Sequence, residues 1–346
     1  MIIGQGISGT FLSHYLLQAG KSVMVVDDGK ANSASRVASG MINPVTGRRV
    51  VRSWMIEDLL PFAEEAYEQI SADVNEEIAK AVNLYTFHGN EQMSSVWRER
   101  IDEGEEYLQT ADSEGWDDYF MFNHGVGITY PCMTVSLAKL LPAWRVILKQ
   151  RSSLLEDTFE QDECVVSDAG VSYKGIEAKK LIFCNGVAAA RSEYFKRLPF
   201  ALSKGEALVV KTPDLPQTGI YKHGMNLVPM GDEMFWLGSS FEWGFKDELP
   251  SDDFLTRCKT TLDKWLKLPY EVMEHRASIR PGCIDRRPMV GLHPVHNNVG
   301  ILNGMGTKGC SLAPYFAHEL LQHLLYGTAI NEKASVLRFE KILSKG

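Results

Sequence analysis

Met1-Ile-Ile-Gly4-Gln-Gly6-Ile7-Ser8-Gly9, then Thr10 to Gly20, then Ser22-Val-Met-Val-Val26-Asp27-Asp28, decides the fold of this 346-residue chain. Three apolar residues end a buried strand, a glycine turn follows at once, and a helical run leads into a second apolar strand that closes on two acids. That is a βαβ unit with its glycines in register. Gly4 permits the tight turn, Gly6 lets the backbone approach a pyrophosphate, and Gly9 lets the helix pack closely on the strand. The helical run that follows from Thr10 offers unpaired N–H groups and a positive dipole end that suit phosphate. Asp27, with Asp28 beside it, stands about 20 residues on, where a carboxylate accepts hydrogen bonds from ribose hydroxyls. A lone GxGxxG is a weak signal and also fits a glycine-rich turn in an unrelated α/β protein. Here strand, helix, strand and acid come in order, and the reading is dinucleotide binding. The first strand is short, at three residues against a usual five or six.

The bulk numbers bound the rest. Length predicts two domains with ample core. A content of 45% hydrophobic and 23% charged residues is that of a soluble globular protein. The net charge of −8 argues against a broad phosphate-binding surface, so nucleic acid is not an expected partner, although a local basic patch stays open. Six cysteines (Cys132, Cys164, Cys184, Cys258, Cys283 and Cys310) form no CxxC pair. Neither a metal site nor a disulfide framework is expected, and reduced thiols point to the cytoplasm. No apolar run reaches membrane-spanning length, and no basic region precedes the first apolar residues as in a signal peptide.

Along the chain, a small-residue loop runs from Gly29 to Gly40. Helices are predicted over 57–81, 91–111, 134–148, 252–266 and 311–326. Strands are predicted over 82–88, 165–172, 181–183 and 299–302. A β-rich region spans 206–241, with a hairpin turning at Gly231-Asp232 between Asn226–Pro229 and Phe235–Leu237.

A second glycine cluster, Asn303-Gly304-Met305-Gly306-Thr307-Lys308-Gly309, directly precedes the last long helix. It fits a plain loop-to-helix transition, and it also fits a ligand contact. A nicotinamide dinucleotide needs no second glycine site so far along the chain. A flavin does: its reduced ring carries negative charge, and a helix N-terminus aimed there stabilises it. If both clusters touch one cofactor, the nucleotide domain is discontinuous.

With these segments in view, the chain resembles the D-amino-acid oxidase, glycine oxidase and sarcosine oxidase superfamily of FAD enzymes over nearly its whole length. The resemblance rests on the opening turn with Asp27, on Ser33-Ala-Ser35-Arg36-Val-Ala38-Ser39-Gly40 and on Thr134-Val-Ser-Leu-Ala-Lys-Leu-Leu141. It continues through Leu181-Ile-Phe-Cys-Asn185-Gly186, Leu227-Val-Pro229 to Phe235-Trp-Leu-Gly238, and Ile279-Arg-Pro281 with Asp285-Arg-Arg-Pro288. It closes on Gly304-Met-Gly-Thr-Lys-Gly-Cys-Ser-Leu-Ala-Pro314.

The resemblance implies a Rossmann-like α/β FAD-binding domain and a discontinuous α+β substrate domain with an antiparallel sheet. The division is 1–80, 130–200 and 280–346 for FAD, and 81–129 and 201–279 for substrate. Implied FAD contacts are Gly4, Gly6, Ile7, Ser8, Gly9, Asp27, Asp28, Ser35, Arg36, Ala38, Ser39, Gly40, Met41, Asn185, Gly186, Gly304, Gly306, Thr307, Lys308 and Gly309. Arg280 is implied to clamp a substrate carboxylate with its guanidinium fork, although a structural arginine beside an acidic neighbour also fits. Lys308 and Arg49 stand where the sarcosine-oxidase branch has carboxylate-binding cations. Arg48, Arg49 and Arg52 equally fit a surface charge cluster. Tyr221 stands near the substrate-facing tyrosines of the D-amino-acid oxidase branch, or simply packs.

Three departures bear on mechanism. Trp236 takes the place of the hairpin lysine that promotes reaction with oxygen, so the electron acceptor is either O2 or unknown. Cys283 lies near the segment that carries covalent flavin, but its spacing to Asp285 does not match, so FAD is expected to be non-covalent. Met305 replaces a histidine. The implied reaction is oxidation of the C–N bond of an amine or amino acid, by hydride transfer from the α C–H to flavin N5 followed by hydrolysis of the imine. Two alternatives share the fold: the oxidase component of a tRNA wobble-uridine modification enzyme, and a non-catalytic FAD-binding assembly protein. Trp236, Phe241 and Trp243 either line the substrate pocket or pack.

Overall fold

A computed structural model describes residues 1–47, 49–112 and 114–345. Its first sheet has six strands in the order Met289–Leu292, Val299–Asn303, Leu181–Phe183, Ile2–Ile3, Val25–Val26, Leu154–Leu155. All neighbours are parallel except the first pair. A parallel sheet is covered on both faces, so its strands must be apolar throughout. On one face the helices Ile7–Gln18, Ile56–Val74, Leu137–Gln150 and Gly309–Tyr326 bury Phe11, Leu12, Tyr67, Trp144 and Phe316. On the other, Val171, Tyr173, Phe183 and Phe195 form a second core.

The opening helix starts at Ile7, earlier than the predicted Thr10, and is buried along its first nine residues. It can lie that deep because of Gly9: a methyl group there would overlap the Gly4 carbonyl oxygen. The short first strand is sufficient because it lies between two partners, pairing with Val25–Val26 and with Leu181–Phe183.

The second sheet runs Glu271–Cys283, Phe200–Lys211, Met234–Gly238, Met225–Gly231, Gly219–His223, Ala79–Phe87, Val126–Val135, Met41–Ile42, with Leu108–Thr110 beside Val126–Val135. It is antiparallel apart from the pair Gly219–His223 and Ala79–Phe87. The helix Asp252–Trp265 covers one face, over a core of Phe87, Phe120, Tyr221, Phe235 and Trp265.

Several element boundaries differ from the sequence reading, each for a local reason. The helix predicted to reach residue 81 ends at Val74, where Asn75 takes the left-handed conformation that terminates helices (φ 54°). Residues from Ala79 then join a strand. The helix predicted over 91–111 stops at Asp102, short of Gly104 (φ 87°), and Leu108–Thr110 is a strand. Thr134 and Val135 finish a strand, and the helix begins at Leu137. The span 165–172 is a hairpin of Cys164–Ser167 and Gly170–Tyr173. The other hairpin turns at Asp232-Glu233, both with positive φ (51° and 60°), one residue beyond the expected Gly231-Asp232. The expected domain boundaries at 80, 130 and 280 fall inside strands of the second sheet, so division at those points would cut hydrogen-bonded ladders.

Gly9→Ala is expected to destabilise the protein by about 2–3 kcal/mol or more, since the overlap is with backbone that cannot rotate away. A urea midpoint equal to wild type would contradict this.

Candidate active site

Three chain segments leave the first sheet at the same edge. The register sets Ile3 beside Phe183 and Phe183 beside Ile301. The turns at Gly4, at Cys184-Asn185-Gly186 and at Gly304 therefore emerge side by side at the carboxyl ends of three parallel strands, the usual ligand edge of such a sheet. Asn303 stitches two of them together: its Nδ2 donates to the Gly186 carbonyl at 2.9 Å, and its Oδ1 accepts from the Gly304 N–H at 2.8 Å. Above these turns lies a cavity of about 530 Å³, roofed by the second sheet through Gly205, Ala207, Asn226, Trp236 and Arg280.

Every predicted cofactor contact lies on the wall of this cavity except Gly9 and Gly304. Gly9 serves helix packing, as above. Gly304 (φ 78°) is buried against Met289, behind the wall rather than on it. Asp27 holds the turn as well as facing the cavity: it accepts from Gln5 N–H at 2.7 Å, Gly29 N–H at 2.8 Å and Arg145 Nη1 at 2.6 Å. Ser35 Oγ accepts from the first helical N–H, that of Ile7, at 3.0 Å.

The wall fits a dinucleotide. A methyl at Gly4 would stand 2.8 Å from the Asn185 Cα and the Cys184 carbonyl oxygen, so the cradle depends on bare backbone. Two long helices, Ile7–Gln18 and Gly309–Tyr326, start at the cavity and lend it their positive ends. Asn185 presents a buried Oδ1 with no partner among the described residues. Cys184 and Cys310 also line the cavity, but burial raises both thiols, Cys310 to about 12, so neither is a thiolate nucleophile. Cys283 packs in the core with Phe183 and Phe195, off the cavity wall.

The substrate-side groups come together unequally. Arg280, on Glu271–Cys283, lays its guanidinium over Gly205, where any side chain would overlap it. Nη1 donates to the Ser240 carbonyl at 3.0 Å, and the Phe241 ring centre is 5.8 Å away. Among the described residues no carboxylate pairs with it, and burial alone lowers its pKa. Lys308 Nζ donates to Ser53 Oγ at 2.6 Å, and Ser53 Oγ donates in turn to the Asn43 carbonyl at 3.1 Å. Burial, and secondarily Arg287, depress the Lys308 pKa.

Tyr221 and Arg49 are corrections. Tyr221 is fully buried in the aromatic core on the far face of the sheet, and its hydroxyl donates to the Pro216 carbonyl at 2.8 Å. It sits in the period-2 phase of its strand that faces away from the cavity. Arg49 is exposed and off the wall; its carbonyl accepts from Arg100 Nε at 3.2 Å. Arg52 pairs with Glu57 and Glu105, as a surface cluster would, and Arg48 lies outside the described residues.

Trp236 lines the cavity with its Nε1 donating to the Val37 carbonyl at 2.8 Å. Phe241 and Trp243 sit on an exposed loop. Asn43, Thr46, Gly205, Glu206 and Asn226 also line the cavity and escaped the sequence reading. The signal for Asn226 was one polar residue opening the otherwise apolar strand Asn226-Leu-Val-Pro229.

The sequence profile of the FAD dependent oxidoreductase family matches residues 1–323. A glycine oxidase of Bacillus licheniformis is 22% identical, the alignment covering 95% of this chain and 93% of that one. The solved glycine oxidase from Bacillus cereus ATCC 14579 superposes with a TM-score of 0.79 at 16% identity, over 100% of this chain and 98% of its own. The iminodiacetate oxidase from Chelativorans sp. BNC1 gives 0.77 at 16% identity, over 96% and 98%.

Gly205→Ala is expected to displace the Arg280 guanidinium and weaken acetate binding by about tenfold to a hundredfold, the worth of a charge-assisted hydrogen bond. Calorimetric titration of the cofactor-loaded protein with acetate checks it, and unaltered affinity would refute the seat.

Proposed function

The chain belongs to the FAD dependent oxidoreductase family, and we propose that it oxidises the C–N bond of an amino acid or carboxylate-bearing amine. The observation that carries this reading is Arg280: a half-buried guanidinium in the cavity wall with one protein hydrogen bond and, among the described residues, no acidic partner. Burying a cation without a counter-charge is costly, and a substrate carboxylate supplies that charge bidentately. Lys308 provides a second positive group on the same wall. Two of the similar proteins, a glycine oxidase and an iminodiacetate oxidase, are named for small aminocarboxylates, which agrees with such a clamp.

In this reading bound FAD, held without a covalent link, supplies the acceptor for a hydride from the substrate α carbon. The protein's share is binding and orientation. The first glycine turn and the Ile7–Gln18 helix would hold the FAD pyrophosphate, and the Gly306–Gly309 turn with the Gly309–Tyr326 helix would stabilise negative charge on its reduced ring. Arg280 and Lys308 fix the carboxylate, restricting the α carbon to one approach. Among the described residues no histidine lines the cavity, and the Glu206 carboxylate on its wall is already engaged by Ser251 and His275; we assign reaction to the neutral amine, without a protein base. Its N–H proton leaves as the imine forms, and water hydrolyses the imine. Trp236, in place of a lysine, puts no cation on the hairpin wall, so we assign re-oxidation to an acceptor other than O2.

Two outcomes are expected. First, anaerobic titration with a panel of amino acids and N-methyl amines bleaches the flavin absorbance. Arg280→Met needs about tenfold to a hundredfold more of the same compound, and admitting air restores the colour only slowly. A protein that no compound bleaches would defeat the reading. Second, acetate affinity falls at alkaline pH. Below its pKa Lys308 is charged and binds the anion; that pKa is depressed from 10.5, so the charge is lost earlier than for a free lysine. Lys308→Met should bind acetate more weakly and flatten this limb, and an identical limb in the variant would exclude Lys308 as its source.

A further inference from the structure

Among the described residues, the buried side-chain atoms without a hydrogen-bond partner include two on residues of the cavity wall, Asn185 and Asn226. Asn185 belongs to the turn at the nucleotide sheet. Asn226 comes from the opposite side, on the strand Met225–Gly231 of the second sheet. Its Oδ1 is inaccessible to bulk water yet accepts nothing. A buried carbonyl without a donor costs about 1–3 kcal/mol, and native proteins rarely leave one so.

The register shows which face of the sheet this side chain occupies. Ala207, Gly238 and Asn226 lie directly opposite one another on three adjacent strands. Directly opposed residues share a face, and so does Gly205, two residues from Ala207. The guanidinium seated over Gly205 and the Asn226 amide therefore project from one face into one cavity. They stand two strands and two residues apart, about 12 Å across the sheet backbone. Between them the Trp236 ring leans over Gly238, where a methyl would stand 2.7 Å from the indole. From Gly205 to Asn226 this face thus offers a cation, an apolar floor and a neutral acceptor in order, with Lys222, whose pKa burial lowers, directly opposite Asn226 on the next strand.

Resting on the aminocarboxylate reading above, we infer that Asn226 recognises the substrate amine, its Oδ1 accepting an N–H of the amino group. An amide suits this task chemically. It takes an N–H from the reactive neutral amine while carrying no charge of its own. A carboxylate at the same position would favour the ammonium form, which has no lone pair to assist loss of hydride. Asn226 therefore selects for the amine without holding it protonated.

The test uses the FAD-loaded protein with acetate, glycine and sarcosine as probes, the first lacking the amine. In Asn226→Leu, glycine and sarcosine affinities are expected to fall about three- to tenfold, the worth of one hydrogen bond, with acetate unchanged. In Asn226→Asp, the pH profile of anaerobic flavin reduction by the same amines is expected to move to higher pH, a shift that a packing role would not produce. Equal losses for acetate and the amines, no loss for either, or an unmoved pH profile would overturn the assignment. Wild-type protein that binds acetate but prefers neither amine would overturn it while leaving the carboxylate clamp standing. Wild-type protein that binds none of the three would overturn the aminocarboxylate reading as well.

Discussion

The register of three parallel strands is the constraint on which the site depends. Ile2–Ile3 is only two residues long, yet it fixes where everything else arrives. Because Ile3 is level with Phe183, and Phe183 with Ile301, three glycine-bearing turns open along one line. A slip of one residue in either pairing would turn the strand over and move its turn out of line. Asn303 locks the alignment from the side, bonded at once to its own turn and to its neighbour's.

The second sheet contributes by a different logic. The first sheet supplies backbone N–H groups, helix ends and glycines, which suit phosphate and a ring edge. The second supplies side chains from one face of its strands. Arg280 is held there by an absence, the missing side chain of Gly205, as much as by its bond to the Ser240 carbonyl. Arg280 and Lys308 are both cations whose burial works against their charge. Strain of this kind concentrates where a ligand is meant to relieve it.

Local chemistry determined what was legible in the sequence. The glycine turns, the acids after the second strand and the Arg-Pro segment announce themselves because few residues can replace them. Tyr221 did not, since a tyrosine at a plausible distance from a hairpin says nothing about phase. Its strand, Gly219–His223, was not recognised, so the face it occupies was out of reach. The long strand Glu271–Cys283 was also invisible, because its charged outer residues (Glu271, Glu274, Arg276) break the apolar pattern while its inner ones reach the cavity. Gly205 and Asn226 acquire meaning only from the strands opposite them, and cross-strand register is not encoded locally.

Sheet order also carries a consequence for how the protein is made. The strand at Ile2–Ile3 sits in the interior of the first sheet, and the strand beyond its neighbour comes from Val299–Asn303. A chain emerging from the ribosome carries the Gly4–Gly9 turn some 300 residues before the opposite end of the same cavity, at Gly304–Gly309, exists. Contacts so distant in sequence are slow to form, because loop closure precedes any gain from them. A complete cavity wall therefore requires the segment around Gly304–Gly309 as well as the opening turn. A partly synthesised or truncated chain holds the anchor without the site.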